Sequence, residues 1–277
     1  MPTLPDTQIE IIRPVPRGQV HSVLFDFDGT ISLIREGWQG VMVPQMVEIL
    51  LELGTGETEQ ELTEVVAEYV DRLTGKQTIY QMIELCNQIE QRGGTPLAPL
   101  EYKHMYLDRL WQRIEHRVVG LKKGRLQAAN MVVPGAFEIL ENLRRHGVTC
   151  YLASGTDQPY VLDEAAALGV SPYFEDRIFG ALDEYKRFSK AQVIQDILRT
   201  HGLHGSQLLA FGDGFVEIEE TKGVGGIAVG VATDEARRQG INAWKRDRLV
   251  QAGADVIIPD FREQEVLLDY LSADSRR

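Results

Sequence analysis

The chain has 277 residues, of which 43% are hydrophobic and 25% charged, with a formal net charge of -12. That length and apolar fraction support one large domain or a core with a second module, and they exclude a disordered chain. An acidic chain repels nucleic-acid phosphates and anionic lipid, so neither is expected as a partner, and a phosphate site must supply its own local cations. The two cysteines, Cys86 and Cys150, and the six histidines lack the spacing of metal ligands or of a disulfide framework. Both cysteines read as buried thiols of a reducing compartment. No apolar run reaches the roughly 18 residues of a membrane span, and no apolar signal segment opens the chain. The expected location is the cytoplasm.

Residues 1–17 carry Pro2, Pro5, Pro14 and Pro16. They read as an extended lead-in with a short strand at Ile9-Glu10-Ile11-Ile12. Val20 to Phe25 is an apolar run closed by acids and glycine, as in a buried strand. From Ile34 to about Asn130 the pattern turns helical. One apolar face runs Val41, Met46, Val47, Ile49, Leu50, Leu53 and ends at Gly54 and Gly56. Thr58 with Glu61 forms a capping box for a second helix whose stripe is Leu62, Val65, Val66, Tyr69, Val70, Leu73. A third helix follows over Ile79 to Ile89. A fourth runs from Tyr102 to Val119, where Gly120 is expected to break it.

After Pro134-Gly135 strands and helices alternate. Helices are expected at Ala136–His146, Pro159–Leu168 and Ser189–Thr200, with a last one from Phe261. Strands are expected at Val148–Ala153, Arg177–Phe179, Gln207–Phe211, Gly226–Val231 and Asp255–Ile258. This alternation implies a parallel sheet with helices on both faces. The strand at 20–25 belongs to that sheet. The chain therefore divides into the lead-in (1–17), an α/β core (18–34 and 131–277) and an inserted helical domain (35–130), placed where it can act as a lid.

In such sheets ligands bind beyond the carboxyl ends of the strands. The first strand ends at Asp26 and Asp28. The Val148 strand ends at Ser154-Gly155-Thr156. The Gln207 strand ends at Gly212-Asp213-Gly214, with Glu217 four residues after the aspartate. Lys190 starts the helix after Ser189. Carboxylates brought together in low dielectric repel one another, and a divalent cation offsets that cost. An all-oxygen ligand set favours magnesium over zinc.

Asp26-Phe27-Asp28-Gly29-Thr30 resembles the first motif of phosphatases of the haloacid dehalogenase superfamily. Leu152-Ala153-Ser154-Gly155-Thr156 resembles the second, Lys190 the third and Gly212-Asp213-Gly214-Phe215-Val216-Glu217 the fourth, all in family order. The resemblance covers roughly residues 20–34 and 131–260. The 35–130 insertion is similar in place and helical character to the family's C1 cap, as in phosphoglycolate phosphatase-like members. The resemblance implies a Rossmann-like core and a magnesium-dependent phosphatase for a small phosphorylated metabolite. It implies Asp26 as nucleophile forming an aspartyl-phosphate and Asp28 as general acid and base. It implies magnesium on Asp26, the Asp28 carbonyl and Asp213, with Ser154, Gly155 and Lys190 around the phosphoryl group.

Two positions depart from the family pattern. Glu217 stands where Asp is usual, and its longer reach suits a place behind the metal ligands. The third motif lacks the Gly-Lys-Pro form, which leaves Lys186 as a rival to Lys190. Lys190 is preferred because Ser189 can cap its helix. Ser154-Gly155-Thr156 on its own also suits a helix start capped by Asp157. Glu219 and Glu220 read as a solvated helix face.

In the insertion, Arg35 and Lys76 are candidate substrate contacts. The alternatives are surface charge for Arg35 and Glu36 with Trp38 in the core, and a solvated loop at 74–78. Asp28 disfavours dehalogenase and phosphonatase chemistry, which the resemblance implies would lack that acid. A phosphosugar mutase of the same fold remains the alternative, and a non-catalytic binding protein is a third reading.

Overall fold

A computed structural model describes residues 3–182, 184 and 189–272. A short strand β1 (Glu10–Ile11) precedes β2 (Ser22–Phe25). The chain then enters four helices, α1 (Gln39–Leu51), α2 (Glu59–Leu73), α3 (Ile79–Gln91) and α4 (Pro99–Lys122). The expected capping box opens α2: Thr58 Oγ1 accepts from the Glu61 amide at 3.2 Å, and Glu61 accepts from the Thr58 amide at 2.8 Å. These helices bury their stripes against one another through Met46, Leu50, Val66, Tyr69, Met82 and Leu110.

One expectation fails here: α4 runs straight through Gly120. Helical glycine costs only about 1 kcal/mol, and this one is needed for packing. A Cβ at Gly120 would lie 2.8 Å from Leu126 side-chain atoms, so the missing side chain lets the returning loop close onto the helix.

The alternating part follows as α5 (Ala136–Arg145), β3 (Thr149–Asp157), α6 (Gln158–Leu168), α7 (Ser171–Phe174) and β4 (Ile178–Ala181). After β4 come α8 (Lys190–His201), β5 (Leu208–Gly212), α9 (Phe215–Gly223) and β6 (Ile227–Val231). The chain closes with α10 (Ala243–Ala252), β7 (Val256–Ile258) and α11 (Gln264–Ser272). The strands form one seven-stranded sheet in the order β1-β7-β6-β5-β2-β3-β4, and only β1 is antiparallel, against β7. The architecture is the expected α/β Rossmann-like core with helices added after the first core strand.

The order reverses at β2, which pairs with β3 on one side and β5 on the other. That is the switch point where an open parallel sheet leaves a crevice. Phe25 stands in register with both Leu152 and Phe211. The residues just beyond, Asp26, Ser154 and Asp213, therefore leave the sheet at neighbouring points. Below them the edge is anchored by buried aromatics: Phe25 stacks on Phe211 at 5.0 Å, and both meet Phe261 edge-on.

The chain leaves the core and returns to it side by side. Ser32 bridges Val132, and the Leu33 amide donates to Met131 O at 2.8 Å. Helices α1–α4 thus sit above the carboxyl ends of the strands. Arg117 on α4 donates to the carbonyls of Leu33, Ile34 and Glu36, and Lys103 on the same helix pairs with Asp157 at 2.6 Å.

Candidate active site

A cavity of about 100 Å³ lies between the strand ends and the helices. Its core side carries Asp26, Asp28, Ser154, Gly155, Thr156, Lys190 and Asp213; its helical side carries Trp38, Met42, Lys76, Gln81 and Tyr106.

The turn after β2 is dictated by backbone bonding. The Asp26 amide continues the ladder to Phe211 O at 2.9 Å. The amides of Ile31 and Ser32 then turn back onto Phe27 O at 2.9 and 2.8 Å. Buried Phe27 and Ile31 hold this loop from below, which leaves Asp26 and Asp28 on the cavity side. Gly29 has φ +76, and a Cβ there would lie 2.1 Å from Asp213 Oδ2. Glycine is required both by the backbone and by the close approach of the Asp213 carboxylate.

Lys190 is the first residue of α8, whose cap Ser189 accepts from the Gln192 amide at 3.2 Å. Its ammonium is 2.8 Å from Asp26 Oδ1 and 2.8 Å from Glu217 Oε2. The rival Lys186 lies outside the described residues. Glu217 is fully buried, and its second oxygen accepts from the Gly214 amide at 2.7 Å. The extra methylene relative to Asp lets one carboxylate cap α9 and still reach the lysine.

Carboxylate oxygens of Asp26, Asp213 and Glu217 lie within 4.8 Å of one another. Burial pushes Asp26 well above the ordinary carboxylate range; Lys190 opposes this, while Glu217 and Asp213 add to it. Burial alone would lower Lys190, but Asp26 and Glu217 outweigh it and hold the ammonium above its usual value.

Asp28 is held from the second strand end. Its Oδ2 accepts from Ser154 Oγ at 3.2 Å and from Thr156 Oγ1 at 2.8 Å. Ser154 Oγ in turn accepts from the Thr156 amide at 3.0 Å. The strand β3 runs on to Asp157 through an irregularity after Ala153, which turns both hydroxyls toward Asp28. Asp157 heads α6 but does not cap it with its side chain; it pairs with Lys103 instead. Asp28 Oδ1 is buried without a hydrogen-bond partner, 3.8 Å from Arg35 Nε.

Arg35 is buried rather than a surface charge. It forms a bidentate pair with Glu164 on α6, at 2.7 and 3.1 Å. Lys76 reaches the cavity from the loop after α2, with its ammonium 5.9 Å from the Tyr80 ring centre and 6.0 Å from that of Phe215. Gly155 makes room for that loop, since a Cβ on it would stand 2.9 Å from Lys76 O.

The motif reading gave Thr156 no role and did not include Glu164, Tyr106, Lys245 or Glu235. Lys245 on α10 lies 2.6 Å from Asp213 Oδ2 and is also paired with Glu235. Taken together, the six carboxylates of Asp26, Asp28, Glu164, Asp213, Glu217 and Glu235 face three cations, Arg35, Lys190 and Lys245. Six minus three leaves a formal -3. The excess charge and the all-oxygen donors of Asp26, Asp213 and Glu217 fit a hard divalent cation.

The family model of haloacid dehalogenase-like hydrolases matches residues 20–225. The chain is a haloacid dehalogenase-like hydrolase. Solved structures of the same fold include a predicted phosphoglycolate phosphatase from Haemophilus somnus 129pt. It shares 16% identity at a TM-score of 0.59, over 90% of this chain and 98% of that one. A β-phosphoglucomutase from Clostridium difficile is similar at 10% identity and a TM-score of 0.58, covering 91% of this chain and 97% of that one. CbbY from Rhodobacter sphaeroides, solved in complex with xylulose-(1,5)bisphosphate, is similar at 17% identity and a TM-score of 0.54, over 88% and 96%. No curated protein matches. At these identities the structural likeness shows the fold of this hydrolase, and the family contains both phosphatases and mutases. Among the described residues, no helix is long and apolar enough to cross a membrane.

Proposed function

We propose that this hydrolase removes the phosphoryl group from a small phosphorylated metabolite through an aspartyl-phosphate on Asp26. The observation that carries the reading is the pairing of two different carboxylates at one strand end. Asp26 is salt-bridged to Lys190 beside Asp213 and Glu217, while Asp28 is held apart by Ser154 and Thr156.

The division of labour is the one that the resemblance to the family's first motif implies. Asp26 attacks phosphorus, the P–O bond to the leaving group breaks, and Asp28 gives that oxygen its proton. Asp28 then takes a proton from the water that cleaves the acyl phosphate, which returns Asp26 as a carboxylate and releases inorganic phosphate. Asp26, the Asp28 carbonyl and Asp213 would hold magnesium, which supplies charge neutralisation for the phosphoryl oxygens. Lys190 stays charged throughout, balancing the nucleophile and the transferred group. The hydroxyl of Ser154 and the backbone at Gly155 lie on the wall where phosphoryl oxygens would be received.

Helices α1–α4 act as a cap, and their cavity residues choose the leaving group. Trp38, Met42, Gln81 and Tyr106 give one mixed apolar and polar wall, with Lys76 and Arg35 as its cations. A cavity set between the strand ends and the helices suits a metabolite rather than a phosphoprotein.

The test is phosphate release from a panel of phosphorylated metabolites and a simple aryl phosphate. Turnover should require magnesium, stop in EDTA and return on adding the metal. Asp26→Asn should abolish phosphate release, a loss of about a thousandfold or more in kcat, with the fold intact by circular dichroism. Wild-type rates in that variant, or full activity in chelator, would sink the mechanism. The same residues serve a phosphosugar mutase. Isomerisation of a hexose 1-phosphate without steady release of phosphate would select that reading.

A further inference from the structure

Lys245 and Glu235 lie at the site but belong to none of the motifs. They sit on the stretch between β6 and β7, which doubles back on itself. The Asn242 amide donates to Ala232 O at 2.7 Å, and Thr233 bridges Ile241. Thr233 Oγ1 donates to Pro259 O, and Asn242 Oδ1 caps α10 by accepting from the Lys245 amide at 3.1 Å. This closed loop brings two residues ten apart in sequence into one ion pair. The Lys245 side chain is 11% exposed, that of Glu235 20% and that of Asp213 14%.

We propose that the Lys245–Glu235 pair is a positioning unit for Asp213, pinning one carboxylate oxygen so that the other serves the divalent cation. The inference rests on the metal-dependent reading above. An aspartate carboxylate rotates freely about its last torsion, and its well is broad and two-fold. Here Gly29 leaves one side open for it, and the ammonium 2.6 Å from Oδ2 fixes its plane. A lone lysine at that place would oppose a divalent cation. Glu235 cancels that charge beyond the pair, so the orienting hydrogen bond is kept and most of the repulsion is removed. Partners behind metal ligands typically change metal affinity by about 10–100-fold when removed.

The variant that isolates this role is Lys245→Met with Glu235→Gln, because the pair is lost while the formal charge of the site is unchanged. The probe is Mn2+ alone, with its Kd read by electron paramagnetic resonance in the absence of substrate. The Kd should rise about tenfold or more. Half-saturating Mg2+ for phosphate release should rise by a similar factor, while the KM for phosphoester at saturating Mg2+ stays within about twofold of the unmodified enzyme. A purely structural role would not produce that split. If the double variant fails to fold, Glu235→Gln alone serves. It leaves the Lys245 charge uncancelled and should weaken Mn2+ about threefold or more. An unchanged Mn2+ Kd in a folded variant overturns the inference. Absence of Mn2+ binding by the unmodified enzyme would instead overturn the metal-dependent reading, and this inference with it.

Discussion

Arg248 ties the core to the end of α2, and its removal gives a quantitative test of whether that contact holds the helices over the site. The guanidinium lies on α10 in the core and donates to backbone carbonyls at the end of α2. Its acceptors are Asp71 O, Arg72 O at 3.0 Å and Thr74 O at 2.9 Å. Its guanidinium carbon lies 4.9 Å from the Phe215 ring centre and 5.1 Å from that of Trp244. A cation at a helix C-terminus also meets the negative end of the macrodipole. Each charge-assisted bond is worth about 1 kcal/mol at this half-buried place, where solvent competes. Arg248→Ala should therefore weaken docking by about 2–3 kcal/mol, or roughly 30–150-fold in the closure equilibrium.

The segment released is the one that roofs the cavity. Gly75 stands against Gly214, and a Cβ on Gly214 would be 3.0 Å from Gly75 Cα. Hydrogen exchange of the amides from Asp71 to Thr78 should accelerate by the same factor, and kcat/KM for a metabolite should fall by up to that much. Arg248→Lys, which keeps the charge with fewer donors, should be intermediate. Unchanged protection over Asp71–Thr78 together with an unchanged kcat/KM would refute the reasoning.

Two further outcomes follow. Gly29→Ala should lose phosphate release almost completely and lose at least about 1–2 kcal/mol of stability, from the left-handed backbone alone. The Cβ clash with Asp213 adds to that loss; urea melts and a phosphate assay check it, and a wild-type rate would contradict the packing. Burial pushes the Cys150 thiol up from 9.0 to about 12, so the folded chain keeps a proton that the unfolded chain loses as pH rises. Stability from this group is complete below about pH 9 and should fall by about 1.4 kcal/mol between pH 8 and pH 10. Cys150→Ala should flatten the urea-midpoint profile over that range; an identical slope in both proteins would reject it.

The parts of the site legible in the sequence are those tied to strand ends. A parallel sheet brings carboxyl ends together in register, so an acid just past β2 and another just past β5 must become neighbours whatever lies between them in sequence. Asp26, Asp213 and Ser154 follow from that rule, and Lys190 follows from the Ser189 cap. The Glu217 position was also readable, but not its burial or its two partners, because these depend on how α9 starts. Thr156 stood in the second motif, but its bond to Asp28 depends on an irregularity in β3 that no local pattern announces. Gly120 misled because glycine breaks helices through backbone freedom, whereas here close packing of Leu126 outweighs the propensity.

Lys245, Glu235 and Arg248 were illegible for a different reason. All three come from the stretch between β6 and β7, whose polar run Thr233-Asp234-Glu235-Ala236-Arg237-Arg238 reads as an ordinary solvated loop. Only the doubling back of that loop, closed by Ala232 and Asn242, aims it at Asp213. The one local signal was Asn242, a helix cap three residues before Lys245, which would have placed both basic residues on one short helix. Lys245 and Arg248 are three apart and so share a face of α10. One touches the Asp213 carboxylate and the other the end of α2. The same turn of helix therefore meets both the acidic cluster and the inserted helices. This gives the two substitutions a shared signature. If α10 is a rigid strut, loosening Lys245 should also raise exchange over Asp71–Thr78, and Arg248→Ala should also raise the Mn2+ Kd. If each residue acts alone, the two effects stay separate and add.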